Sequence, residues 1–387
     1  MFHTASSEQI KAGRVTDVYF QRTIEMLRAE GIRKHVVAEV HASTLPAGYE
    51  WGVLAGVDEV SVLMEGRRAT VWCMAEGTVF RADEPVLVIE GEYTEWGADE
   101  TALLGLLCQA SGIATKAARC RIAAGTRTLV SFGARRMHPA LAPMIERNAY
   151  IGGCDGVAAV ASADLLGVEP MGTMPHALIL ILGDPVAAFR LYNRRMPEGV
   201  PRVCLVDTLC DEKAESLAAA EALGEALDAV RLDTPGSRRG DMRAILEEVR
   251  WELDLRGHQR VKLMVSGGLD EHAILELNPY ADGYGVGTAI SNAPVINFAL
   301  DIVEVEGKPR TKRGKKSGRK SVLRCPRCGT RRVVPAGSDT RCECGGEAEA
   351  LLKPLTADGK LVRQPTPAAQ VRDYVLQQIR GLPLGTG

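Results

Sequence analysis

Four cysteines late in the chain are spaced to hold a metal. Cys325-Pro-Arg-Cys328 and Cys342-Glu-Cys344 are separated by 13 residues, and two thiolate pairs on tight turns can reach the corners of a tetrahedral zinc site. Gly329 and Gly345 follow the pairs directly and ease those turns. Four thiolates leave the ion no open position, so its expected role is structural, replacing the core that a module of about 30 residues is too small to build. Reduced metal-free thiols and a redox centre are the alternatives.

A second group combines charged side chains with glycine-rich turns. Arg231 and Asp233 flank Leu232, so along an extended strand their side chains share one side. With Asp207 they offer one cation and two carboxylates, fit for a cationic transition state, a sugar hydroxyl pair or a magnesium shell; a core ion pair or a turn cap is the plainer reading. Val265-Ser266-Gly267-Gly268-Leu269-Asp270 and Gly283-Tyr284-Gly285-Val286-Gly287-Thr288 are glycine-rich turns, whose exposed N–H groups and hydroxyls make phosphate cradles. Arg135, Arg136 and His138 could bind a second anionic group. His176, in Gly172-Thr173-Met174-Pro175-His176, suits a base, an anion ligand or a nucleophile toward phosphorus, or else packs at the start of an element. The chain has neither a GxSxG elbow nor an HExxH pair.

The elements that must position these groups alternate from residue 127 onward. Apolar strands are expected at Arg202 to Val206, Ala229 to Leu232, Val261 to Val265 and Gly283 to Val286, with helices over 211 to 227, 239 to 255 and 270 to 277. The polar candidates fall at successive strand ends, the arrangement of a β/α barrel mouth, with a doubly wound open sheet as the rival. Upstream, strands are expected at Val57 to Leu63, Ala69 to Ala75 and Val86 to Ile89, followed by a long helix from Asp99 to Ala124. His176 is expected to precede an apolar strand, Leu178 to Ile181. Lys308 to Lys320 reads as a flexible connection or hairpin, and a helix is expected over Pro367 to Arg380.

Across 387 residues the composition is 46% hydrophobic and 25% charged, which excludes collagen-like and wholly disordered classes. Lys308 to Arg332 holds 12 Lys or Arg and no Asp or Glu, so with a net charge of −2 the remainder carries −14. The main body is therefore no general nucleic-acid surface, and the basic stretch lacks interleaved aromatics. No stretch approaches the roughly 18 apolar residues of a spanning helix, and no signal-type N-terminus is evident, so no membrane partner and a cytoplasmic location are expected. Scattered cysteines besides the four-cysteine set also suit a reducing compartment.

Together these residues resemble the nicotinate phosphoribosyltransferase family, in particular its shorter branch with a C-terminal zinc knuckle. The resemblance runs from about Gly13 to Leu352. It rests on Thr16-Asp17-Val18-Tyr19, Glu76-Gly77-Thr78-Val79-Phe80, Phe132-Gly133-Ala134-Arg135-Arg136-Met137-His138-Pro139, Gly172-Thr173-Met174-Pro175-His176, Leu205-Val206-Asp207-Thr208, Val230-Arg231-Leu232-Asp233-Thr234 and the two glycine turns. One departure stands out: the family's usual Gly-Asp after the aspartate and hydroxyl pair is replaced by Pro235-Gly236-Ser237-Arg238-Arg239-Gly240-Asp241.

The resemblance implies an α/β fold: an N-terminal α/β sandwich (1–125), an irregular or incomplete β/α barrel (126–305) and a C-terminal region (306–387) with a small zinc module at 321–350. It implies that nicotinate and 5-phosphoribosyl 1-diphosphate give nicotinate mononucleotide and diphosphate, with Mg2+ accompanying the diphosphate and ATP hydrolysis coupled in many members. Tyr19 matches the tyrosine that stacks on the pyridine ring of a partner subunit's site, implying at least a homodimer. Arg231 and Asp233 match residues of the phosphoribosyl site, Ser266, Gly267, Gly268, Gly285, Gly287 and Thr288 match the 5'-phosphate cradle, and His176 matches the histidine that ATP phosphorylates. Quinolinate phosphoribosyltransferase, which must bind two carboxylates and release carbon dioxide, is the enzyme alternative. A zinc-ribbon nucleic-acid-binding protein is the alternative from another class.

Overall fold

The structure, a computed structural model, describes residues 2–385. The described residues form two compact units, one of residues 2–115 with 294–385 and the other of residues 116–293.

The first unit is built on a seven-stranded antiparallel sheet. Its order is Lys308–Pro309, Ala299–Val305, His35–His41, Leu87–Glu92, Ala69–Cys73, Lys353–Ala357 and Lys360–Leu361. Alternation along His35–His41 sends Val36, Ala38 and Val40 into the main core, while Val37 joins Val88 and Val303 in a smaller cluster. Ala299–Val305, placed by sequence with the barrel, pairs instead with His35–His41.

Two expected strands are helices. Val57–Met64 is helical because Gly56, at φ 85°, turns the chain into it, Asp58 and Glu59 sit in its first turn, and Val57, Val60, Leu63 and Met64 share a buried face. His176–Leu182 is likewise a helix, closed by Gly183 at φ 69°. The second run is uniformly apolar and carries no period by which to tell strand from helix, whereas the first holds a helical spacing of apolar residues at 57, 60, 63 and 64. The long helix is unbroken over Glu100–Ala124; Asp99 closes the preceding short turn and its carboxylate holds Arg67, 2.6 Å away. No helix among the described residues is long and apolar enough to cross a membrane.

The second unit holds six parallel strands in the order Gly156–Val157, Thr128–Ser131, Gly283–Val286, Lys262–Ser266, Ala229–Leu232 and Val203–Leu205. Helices such as Glu212–Leu223, Met242–Leu255 and Glu271–Leu277 make the crossovers. The first and last strands of that order do not pair with each other, so this is an incomplete barrel.

Near the C-terminus, Lys320–Arg324 pairs with Arg331–Pro335 and Glu349–Ala350 in a small antiparallel sheet carrying the four cysteines. Lys308–Pro309 closes a hairpin with Ala299–Val305, and the irregular stretch beyond it is tied down: Lys320 donates to Glu39 Oε2 over 2.8 Å, and Lys315 to the Ser43 hydroxyl over 2.8 Å. The final helix spans Ala368–Ile379.

Candidate active site

Parallel strands present their C-terminal ends at one edge of the sheet, and here those ends enclose a cavity of about 620 Å3. Its wall includes Arg135, Arg136, Thr173, His176, Arg231, Asp233, Ser266, Gly267, Gly268, Gly285, Gly287 and Thr288. Residues far apart in sequence converge because each lies at or just beyond the end of a strand, or on the loop leading to His176.

Asp233 is the hub. Its Oδ1 accepts from the Ser266 hydroxyl at 2.7 Å, while its Oδ2 faces His176 Nε2 at 3.7 Å and the Arg231 guanidinium at 4.0 Å. His176 Nδ1 shares a 3.0 Å hydrogen bond with Thr208 Oγ1. The ring is thereby held at Nδ1, with Nε2 facing Asp233 beyond hydrogen-bond distance and its side chain 39% exposed. Asp207 follows the neighbouring strand, and its two carboxylate oxygens are buried, with the Asp233 backbone close enough to favour the charged form. Burial pushes its carboxyl up to about 6; His176 opposes the rise and Asp233 adds to it. Burial also lowers Arg231, against the pull of Asp233 and Asp207.

Buried carboxylates brace the loops from behind. Glu215 accepts from the backbone N–H groups of Thr208, Leu209 and Cys210 at 3.1, 2.6 and 2.8 Å. Glu146, fully buried, accepts from Ala158 and Ala159 on the opposite wall. Gly285 is required by close approach, since a Cβ there would run into the Phe132 ring. That ring lies under Arg231, 5.7 Å from its guanidinium carbon. Sequence reasoning missed Phe132 as a wall residue; its position directly after an apolar strand was the available signal.

Three candidates do not line the cavity: Asp207, His138 and Tyr19. His138 is not on the cavity wall, and its Nδ1 accepts the Ala140 N–H, capping the next turn. Tyr19 belongs to the first unit, on the helix Val18–Ala29, where it is 58% exposed and packs against Phe20.

The sulfur atoms of Cys325, Cys328, Cys342 and Cys344 all lie within 4.8 Å of one another, with 3.5 Å between Cys325 and Cys344 and 3.6 Å between Cys328 and Cys342. Zinc–sulfur bonds of about 2.3 Å need sulfur edges of about 3.8 Å in a tetrahedron, so the set fits a four-thiolate zinc ion with no position left for a reactant.

The chain matches two domain families along most of its length. Residues 17–111 match the N-terminal domain and residues 113–301 the C-terminal domain of quinolinate phosphoribosyl transferase. It is 33% identical to nicotinate phosphoribosyltransferase pncB1 of Mycobacterium tuberculosis, over 97% of this chain and 92% of that protein. The pncB2 protein of the same organism is 32% identical over 95% of this chain and 87% of its own length.

The chain belongs to the nicotinate phosphoribosyltransferase family.

Among solved structures, nicotinate-nucleotide pyrophosphorylase from Pyrococcus furiosus superposes with a TM-score of 0.96 at 54% identity, covering 98% of each chain. Human nicotinic acid phosphoribosyltransferase, 19% identical with a TM-score of 0.73 over 96% of each chain, shares the fold. As a member of the nicotinate/quinolinate phosphoribosyltransferase superfamily, this protein is an enzyme, and the strand-end cavity is its candidate active site.

Proposed function

We propose that this cavity joins nicotinate to 5-phosphoribosyl 1-diphosphate, yielding nicotinate mononucleotide and diphosphate for NAD biosynthesis. One observation carries the reading: three arginines, Arg135, Arg136 and Arg231, converge with two glycine-rich turns and the Asp233 carboxylate on a single space of about 620 Å3. Such a wall suits a ligand with a phosphate at one end, a diphosphate at the other and a sugar between.

The pyridine nitrogen attacks sugar C1 through its own lone pair while the bond to diphosphate breaks, so no general base is needed. Catalysis then consists of positioning and of charge stabilisation. The turns at Ser266–Gly268 and Gly285–Thr288 cradle the 5'-phosphate, and Asp233, held by Ser266, faces the cationic character that develops on the sugar. Arg135 and Arg136 meet the departing diphosphate. Magnesium, arriving with the substrate, would supply further neutralisation there, and the buried Asp207 carboxylate would add negative charge toward it. Nicotinate's carboxylate pairs with Arg136 or Arg231.

ATP coupling is part of the proposal. His176, with Thr208 on one ring nitrogen and Asp233 near the other, accepts a phosphoryl group and couples ATP hydrolysis to the transfer. Tyr19, exposed on its helix, stacks on the pyridine in a second copy's site, making the working form a homodimer or larger assembly. The quinolinate reading draws on the two domain families; the near full-length relatives named as nicotinate enzymes favour nicotinate.

The test is a steady-state assay with nicotinate, phosphoribosyl diphosphate and Mg2+. Equimolar nicotinate mononucleotide and diphosphate are expected. Their absence, with and without ATP, would contradict the reading.

A further inference from the structure

We propose that Arg239 is a positioning residue for the substrate's 5'-phosphate, acting through the Ser266–Gly268 turn; the inference rests on the transferase reading above. Arg239 closes a single helical turn, Gly236–Arg239, within the segment that replaces the family's usual Gly-Asp. From there its guanidinium reaches back across two strand ends. Nη2 donates to the Gly267 carbonyl at 2.6 Å and to the Thr234 carbonyl at 2.9 Å, and Nε donates to the same Thr234 carbonyl at 3.1 Å. One rigid fork thereby ties the loop after Ala229–Leu232 to the turn after Lys262–Ser266.

The tether acts on the atoms a phosphate would meet. Gly267 and Gly268 lie at φ 86° and 66°, and two successive glycines have wide conformational freedom unless something restrains them. The Gly267 carbonyl and the Gly268 N–H occupy opposite edges of one planar trans peptide. Drawing that carbonyl to Arg239 turns the Gly268 N–H away from the arginine. Both glycines line the cavity, whereas Arg239 does not.

Gly267 is wedged as well as tethered. A Cβ there would stand 3.0 Å from Arg239 Nη2 and 3.1 Å from Asp233 Oδ1. The same turn thus carries Ser266, which holds Asp233 at 2.7 Å, and the carbonyl that Arg239 holds. A turn fixed before the substrate arrives loses less freedom on binding, so its contribution falls on phosphate affinity.

Arg239→Ala should raise KM for phosphoribosyl diphosphate by about 10- to 100-fold, with kcat and KM for nicotinate within about threefold. Added guanidinium chloride at low millimolar concentration should restore part of the loss. Arg239→Lys, which cannot fork, should fall between the two and carries the test if the alanine variant does not fold. Calorimetry separates positioning from general loosening: the alanine variant should bind nicotinate mononucleotide more weakly but nicotinate riboside, which lacks the phosphate, as wild type does. Unchanged phosphoribosyl diphosphate KM in a folded variant, or equal weakening for nucleotide and riboside, would overturn this proposal alone. Wild-type protein that forms no nicotinate mononucleotide would overturn the transferase reading and this proposal with it.

Discussion

The Ser266 hydroxyl donates to Asp233 Oδ1 over 2.7 Å, joining the ends of two adjacent parallel strands through a carboxylate that also faces His176 and Arg231. A carboxylate oriented in advance stabilises developing positive charge without reorganising. Asp233→Asn should therefore lower kcat by about 100- to 1,000-fold, and Ser266→Ala by about tenfold, the worth of one hydrogen bond. Single-turnover rates with circular dichroism as a folding check test both, and near wild-type turnover in a folded Asp233→Asn would contradict the role.

Asp207 gives a pH dependence with a definite sign. Burial pushes its carboxyl up to about 6 in the folded chain, against about 3.9 when unfolded. Below the lower value both states are protonated and there is no difference. Between the two values the unfolded chain releases a proton that the folded chain keeps, so stability falls as pH rises, and the penalty is complete above the folded value. Asp207→Asn, neutral throughout, should gain stability over the native protein on going from pH 4.5 to pH 7.5. Urea midpoints without substrate measure this, and a difference that does not change with pH would contradict it.

The strand ends were readable in advance because apolar runs terminated by Asp, Ser and Gly mark both element and edge. Arg231, Asp233 and Ser266 fall on the cavity wall, while Asp207 does not line it. What failed was Val57–Met64, whose apolar residues at 57, 60, 63 and 64 carry a helical period that was read as a strand, and His176–Leu182, a uniformly apolar run with no period, where the flanking glycine decides. The bracing was also invisible, because Glu215, Glu146 and Arg239 bind backbone atoms, and every residue type supplies those. Only the folded chain shows which carbonyl or N–H lies within reach.

His176 separates ATP coupling from ribosyl transfer. With labelled ATP, wild type should acquire an acid-labile, base-stable label that His176→Asn lacks. The variant should keep slow ATP-independent transfer and lose stimulation by ATP. Equal labelling and equal stimulation in both would contradict the phosphohistidine.

The four-thiolate site should hold about one zinc per chain. Cys325→Ser should lower metal content and expose the amides of residues 320–350 to hydrogen exchange, with only a few-fold change in kcat. Complete loss of turnover in a variant that still binds substrate would contradict a structural role.

The central claim is tested most directly by offering nicotinate, nicotinamide and quinolinate separately, each with phosphoribosyl diphosphate and Mg2+, and measuring kcat/KM for nucleotide formation. Nicotinate should be preferred by at least about 100-fold over each of the others, since a site built for one carboxylate leaves a neutral amide unpaired and a second carboxylate uncompensated. A preference for quinolinate with release of carbon dioxide would contradict the account.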